Sequence, residues 1–314
     1  MIIISYDLNI NFLRLLKFKG LKIENNGYPV CRMTINLEIE LDAMTAISSD
    51  KLILGAKEEL QLFEGENKSI TTVSKEHSGR INCLIKLSNG TVASGSQDNT
   101  IKIWDIEKKE AKYTLNGHTS IIWDIRELEG NRLISASDDN ISKVWEFNEK
   151  KKAFESYDLC NSHRQISSIA VLKNNKVILA TGKNLFLYDL KTKKQESFLD
   201  IPKGGVWAIR ELSNGDVAVG LGNGLLYILK VTDELIVKTK FVQGHKRTIN
   251  SIIELDNHKI VTASDENDLI LWDPNDYESM YLLKGHTDVV TCLCFISGTR
   301  FASASRDKTL KIWE

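Results

Sequence analysis

A histidine and a tryptophan separated by 27 residues recur four times in this chain of 314 residues: His77 to Trp104, His118 to Trp145, His245 to Trp272 and His286 to Trp313. Repetition at fixed spacing constrains a fold more than composition does. Each copy is one supersecondary unit that cannot bury its apolar face alone and must stack on its neighbours. Residues 117–145, GHTSIIWDIRELEGNRLISASDDNISKVW, serve as the template. The template opens on Gly-His and runs through an apolar segment, a turn and a second apolar segment ending in Ser-Ala-Ser. An Asp-Asp-Asn turn and a third short strand ending at Trp complete it.

Degenerate copies fill the intervals, giving seven units. The first ends at Phe63, 41 residues before Trp104. The fourth starts at His163, ends at Tyr188 and lacks the turn aspartate; the fifth replaces Gly-His with Pro202-Lys203-Gly204 and ends at Tyr227. Short apolar runs separated by turn residues at roughly 8–12 residue intervals indicate an all-β protein. Each unit supplies about four strands once the segment between a Trp and the next His is counted. Such a sheet cannot bury both faces alone, whereas seven packed face to face around an axis can, which is the propeller solution. Cys31, Met33, Ile35 and Leu37 are apolar at alternate positions, as a half-buried strand requires. The propeller therefore spans 30–314. Residues 1–29 match no repeat and form an N-terminal extension, in which 11–19 (NFLRLLKFK) suits a basic amphipathic helix or a strand equally.

With 41 basic and 42 acidic side chains the net charge is −1, which supplies no general attraction for nucleic acid or anionic membranes. Five cysteines, an odd number with no C-x-x-C spacing, argue against a disulfide framework and a zinc site and for a reducing, intracellular setting, the cytoplasm ahead of the nucleus. No run reaches the 18 or more apolar residues of a membrane helix. The opening MIIISYDLNI lacks a basic n-region and is interrupted by Asp7, so it does not read as a secretory signal.

The Gly-His and Trp-Asp signatures, as in Gly244-His245 with Trp272-Asp273 and His77 with Trp104-Asp105, resemble the WD40 repeat family over residues 30–314. The resemblance implies a seven-bladed β-propeller with four-stranded antiparallel blades. In that family each repeat begins with the outer strand of one blade and continues with three inner strands of the next. This sequence stops at Trp313-Glu314, so residues 30–37 are expected to complete the last blade and close the ring, covering an open sheet edge.

The resemblance also implies a hydrogen-bonded tetrad in each full repeat. The matching sets are His77, Ser94 or Ser96, Asp98 and Trp104; His118, Ser135 or Ser137, Asp139 and Trp145; and His286, Ser303 or Ser305, Asp307 and Trp313. The sixth repeat offers His245, Thr262 or Ser264, and Trp272, with Glu266 replacing Asp. Seen singly, Ser, His and Asp suggest a hydrolase. Recurrence in four blades instead indicates struts that satisfy buried polar groups. Five of the six histidines are read at equivalent places in different blades, too far apart to share a metal, so neither a metal nor a cofactor is expected.

Two tryptophans lie outside the signature: Trp123 and Trp207 occupy equivalent positions in SIIWDIREL and GGVWAIREL. By the resemblance, residues three and five past the His stand at the channel mouth on the top face, where family members bind partners. Arg80, Asn82, Ile121, Ile166, Thr248, Asn250, Val289 and Thr291 share these offsets, and Gln97, Asp138, Asp265 and Arg306 precede the turn acid. Aromatic groups at such a mouth are interface anchors, the alternative being that both tryptophans fill space between blades. The glycine-rich 220–224 opens no helix and reads as a turn; the runs at 107–112, 149–152 and 191–194 read as solvated loops. The sequence thus points to a monomeric, non-catalytic scaffold or adaptor for a protein or peptide, without nucleic acid or membrane. The alternatives are a substrate-recognition subunit of a ubiquitin ligase and an enzyme with its site in the channel.

Overall fold

The computed structural model describes residues 29–201, 204–232, 236–277 and 280–314. Among them, 28 strands form seven four-stranded antiparallel sheets. The innermost strands, Ala43–Ala46, Ile81–Lys86, Ile122–Leu128, Ser168–Val171, Val206–Glu211, Ile249–Glu254 and Val290–Ser297, define blades 1 to 7. Each touches the next and the last touches the first, so the ring closes around a channel.

Alternate side chains along a strand point to opposite faces, so every blade offers an apolar face to each neighbour. One apolar cluster fills each of the seven gaps. Between blades 2 and 3, for example, Ile101 and Ile103 meet Ile122, Ile125, Leu133 and Trp145. The closing aromatic of every repeat joins the cluster shared with the preceding blade: Phe63, Trp104, Trp145, Tyr188, Tyr227, Trp272 and Trp313. Removing such a ring from a core costs about 3–5 kcal/mol, which is why this position stays aromatic even in the degenerate copies.

The seventh blade is completed as the sequence predicts. Cys31–Asn36 pairs antiparallel with Thr309–Trp313, with Met33 opposite Ile312, Thr34 opposite Lys311 and Ile35 opposite Leu310. The Val30 N–H donates to Glu314 O at 2.9 Å, the Glu314 N–H returns a bond to Val30 O at 3.1 Å, and the Leu37 N–H reaches Lys308 O at 2.7 Å. Residues 1–28 lie outside the described residues, and with them the expected extension and the segment 11–19.

Blade 4 corrects the sequence reading. Val177 pairs with Tyr188 as Leu133 pairs with Trp145 in the template, and counting back from Val177 puts Ser162, not His163, at the histidine position. The hairpin that turns at Gly182-Lys183 is one residue shorter than the template's, which moves the apparent spacing. His163 is exposed, so four histidines rather than five occupy equivalent places. The Tyr188 hydroxyl donates to Cys160 Sγ at 3.1 Å where other blades have their tetrad. Ile166, expected at the mouth, lies one position deeper and is fully buried; Gln165 and Ser167 stand there instead.

Candidate functional site

The tetrads form in blades 2, 3, 6 and 7. His77 Nδ1 lies 2.7 Å from Asp98 Oδ2 and its Nε2 lies 2.7 Å from Ser94 Oγ, to which Trp104 Nε1 donates at 2.7 Å. The same pattern joins His118 to Asp139 (2.8 Å) and Ser135 (2.7 Å), with Trp145 on Ser135 at 2.8 Å. His286, Asp307, Ser303 and Trp313 repeat it. In blade 6 Glu266 reaches His245 Nδ1 at 2.6 Å and Thr262 supplies the hydroxyl.

The indole N–H can only donate and an ionised carboxylate can only accept. The relay therefore runs one way: Trp to hydroxyl, hydroxyl to Nε2 and Nδ1–H to carboxylate, with a neutral imidazole. Burial holds His118 and His286 below their ordinary value, against the pull of Asp139 and Asp307. Burial also pushes Asp139 upward, but the Thr119 N–H and His118 overcome it and keep the carboxyl below the usual range. These atoms match a hydrolytic triad in order, yet Ser94, Ser135, Thr262 and Ser303 are 0% exposed and a substrate carbonyl cannot reach them. The second serine of each pair ties down the loop: Ser137 Oγ donates to Ser120 O at 3.2 Å and accepts the Asp139 N–H. Among the described residues no group of three or more His, Cys, Asp or Glu is placed to hold a metal ion.

At the mouth, the register of five inner strands is broken by one extra residue: Asn82, Trp123, Trp207, Asn250 and Thr291. Asp42 and Ser167 stand at the corresponding places in blades 1 and 4. A bulge re-aims its side chain, and this directs the residues at offset five toward the opening. Four of them are committed to the ring. Asn82 Nδ2 donates to Ile122 O (3.0 Å), Ser167 Oγ to Val206 O (2.9 Å), Asn250 Nδ2 to Val290 O (3.0 Å) and Thr291 Oγ1 to Leu41 O (2.6 Å). Each strap ends on the carbonyl just before the next blade's mouth residue. Asn82, Asn250 and Thr291 thus hold blades together through the groups expected to meet a partner.

Trp123, Trp207 and Asp42 make no such strap. Trp123 is half-buried, and its Nε1, like Asp42 Oδ2, is buried with no hydrogen-bond partner. Burial pushes the Asp42 carboxyl up, against the Arg80 guanidinium 3.2 Å away, and Arg80 is in turn held by this pair. Trp207 is 51% exposed. Its indole lies over a floor of glycine: a Cβ at Gly222 would stand 3.0 Å from Nε1 and one at Gly205 3.6 Å. Ile121 and Asp138 are half-buried beside Trp123, with the Asp138 N–H on Ile121 O at 2.8 Å, and Arg306 is exposed on blade 7. Asn82, Trp123, Trp207, Asn250 and Thr291 share the bulge position of their inner strands, whereas Ile166 does not stand at that level. Sequence reasoning missed Asp42, Gln165, Ser167 and the glycine floor, because the first blade carries no histidine from which to count and blade 4 carries it one residue late.

The sequence profile of the WDR41 β-propeller family matches residues 64–279, about two thirds of the chain, and that of the WD domain, G-beta repeat, matches residues 277–314. The chain is 25% identical over 265 residues to cell division control protein 4 of Saccharomyces cerevisiae, covering 84% of this chain and 26% of that protein. It is 25% identical over 221 residues to WD repeat-containing protein 41 of Mus musculus, covering 65% of this chain and 47% of that protein. It spans less than half the length of both relatives. In structure it is similar to the WD40 β-propeller domain of Doa1, with a TM-score of 0.78 at 18% identity over 91% of this chain and 96% of that one, a likeness of fold. WD-repeat propellers of this kind are protein-interaction scaffolds. A family profile that runs from the edge of blade 1 into blade 6, taken up by the repeat profile through blade 7, makes this chain a member of the WDR41 β-propeller family.

Proposed function

We propose that this chain is a non-catalytic adaptor that holds a protein or peptide across the mouth of its channel, with an apolar side chain of the partner seated on Trp207 and a second contact at Trp123, two blades away. The observation that carries this reading is Trp207, which is 51% exposed while Trp104, Trp145, Trp272 and Trp313 are at most 2% exposed. A rigid aromatic on a strand loses little conformational freedom on binding, and such rings dominate interface energetics. Most polar side chains at offset five are strapped into the ring, so recognition falls to the aromatic sector and to exposed Arg306. The five free cysteines suit a reducing compartment, the cytoplasm or nucleus. Among the described residues no helix is long and apolar enough to cross a membrane.

The test is affinity capture with wild type, Trp207→Ala, and Trp123→Ala with Trp207→Ala. Truncating a central aromatic anchor costs about 2 kcal/mol or more, roughly 30-fold in affinity. The double variant is expected to lose the partners that wild type retains. Unchanged capture by a variant with wild-type circular dichroism removes the site. A narrower role in a ubiquitin ligase rests on one relative's name: F-box/WD repeat-containing protein sel-10 of Caenorhabditis elegans is 36% identical over 53 residues, 17% of this chain. Ligase subunits among the captured partners would favour that role over a general adaptor.

A further inference from the structure

Blades 3 and 5 share more than their tryptophans. Their innermost strands read Trp123-Asp124-Ile125-Arg126-Glu127-Leu128 and Trp207-Ala208-Ile209-Arg210-Glu211-Leu212, differing only at the second position. In register the two arginines stand at one level, Arg126 opposite Ile134 and Arg210 opposite Ala218. The other blades place Thr45, Ile85, Ala170, Ile253 and Cys294 there. The two guanidinium groups are the only charges on this ring of side chains.

The single difference decides what each arginine meets. Asp124 is buried and its carboxylate lies 3.0 Å from Arg126 Nη1, while Arg126 Nε donates to Ile169 O at 3.1 Å. Ala208 offers no acceptor, and among the described residues Arg210 has neither a hydrogen bond nor an ion pair. Its side chain is open to channel solvent although Ala208, Ile209 and Leu212 around it are buried. The surrounding protein and the Arg126 charge both press the Arg210 guanidinium below its usual range, with Glu254 acting the other way. Glu254 is already engaged, accepting from the Ser213 N–H at 2.7 Å and its hydroxyl at 2.5 Å. A guanidinium with five donors, partly desolvated and beside a second cation, recovers energy by pairing with an oxyanion.

We infer that the channel at the level of Arg210 is an oxyanion site, in which a carboxylate or phosphate group pairs with Arg210 as Asp124 pairs with Arg126. The site lies three residues, roughly 10 Å along the strand, below Trp207. It does not depend on a partner seated at the mouth.

Inorganic phosphate is the probe, with chloride balancing ionic strength, read by thermal melting and by titration calorimetry. Phosphate is expected to bind wild type and raise its melting temperature over chloride. Arg210→Gln should lose at least tenfold in affinity while melting in chloride as wild type does. Ala208→Asp supplies the missing carboxylate from within and should lose phosphate binding as well; if that buried substitution prevents folding, Arg210→Gln still decides. A hexaglutamate peptide is titrated in parallel to find the source of the group. Phosphate binding without hexaglutamate binding assigns a free anion; hexaglutamate binding that is lost in Arg210→Gln assigns a carboxylate borne by a partner. The site is overturned if wild type responds to neither probe, or if Arg210→Gln keeps the wild-type response, as general salt stabilisation would produce. The variant lacking both mouth tryptophans should keep its phosphate response, so failure of the mouth reading is separable from failure of this one.

Discussion

Ser135 shows what one residue does in a quartet. Its hydroxyl accepts from the Trp145 indole and donates to His118 Nε2, so removing it strands two buried polar groups. An unsatisfied buried group costs about 1–3 kcal/mol. Ser135→Ala is therefore expected to lower the unfolding free energy from urea titration by an amount in that range with the blade intact, and an equal free energy would show that the relay holds nothing. Gly222→Ala belongs to the same scale. The added Cβ would stand 3.0 Å from Trp207 Nε1 and lift the ring off its floor. Indole fluorescence should shift toward the solvent value and partner capture should fall, with little change in melting temperature because Trp207 is already exposed; an unshifted emission maximum argues against the floor. The quartets were legible because a fixed spacing reports a repeated contact. Which serine does the work was not: Ser135 and Ser137 lie two apart on one face, and only the position of the indole separates them. Arg126 and Arg210 were equally hidden, since the bulge at Trp123 and Trp207 sets where the following residues point.

At the scale of the element, the edge strand Cys31–Asn36 was readable from its alternation together with the end of the sequence at an inner strand. Deleting residues 1–37 removes the partner of Thr309–Trp313 and uncovers Ala302, Leu310 and Ile312, which share a cluster with Ile35. The melting temperature should fall by roughly 5 °C or more, given about 2–5 kcal/mol for losing the buried Ile35 side chain alone and a few degrees per kcal/mol in a chain this long. A truncated chain that melts with wild type would mean that the blade does not need its fourth strand. Blade 4 was misread for a local reason. Its histidine stands one residue past the expected place and the Gly182-Lys183 hairpin is a residue short, so two small offsets add and the count from His163 to Tyr188 falls two short of the template's. Strand pairing carries the true register, and a linear spacing does not.

For the whole molecule, four quartets place the same chemistry in four of seven blades, and acid acts on all of them together. His118 and His286 titrate below their ordinary value near 6.5, so as the pH falls beneath 6.5 the unfolded chain takes up these protons first and stability declines. Asp98, Asp139, Glu266 and Asp307 are held below the usual carboxylate range, against the upward push of burial, by His77, the Thr119 N–H, His245 and the Thr309 hydroxyl in turn. Their contribution is complete above about pH 5 and is lost as the pH drops through the lowered values. Denaturation midpoints at pH 8, 6, 5, 4, 3 and 2 should fall in two stages, the first below about pH 6.5 and the second below about pH 4, and a flat profile down to pH 2 would refute the coupling. Closure has a further consequence, in time rather than energy. Thr34 Oγ1 meets Lys311 Nζ across 277 residues of sequence. At roughly 5–20 residues per second, synthesis separates the two by roughly 14–55 s. Throughout that interval the growing chain is an open arc whose end blades each leave one apolar face uncovered, and the emergence of Thr309–Trp313 lets it close into a ring.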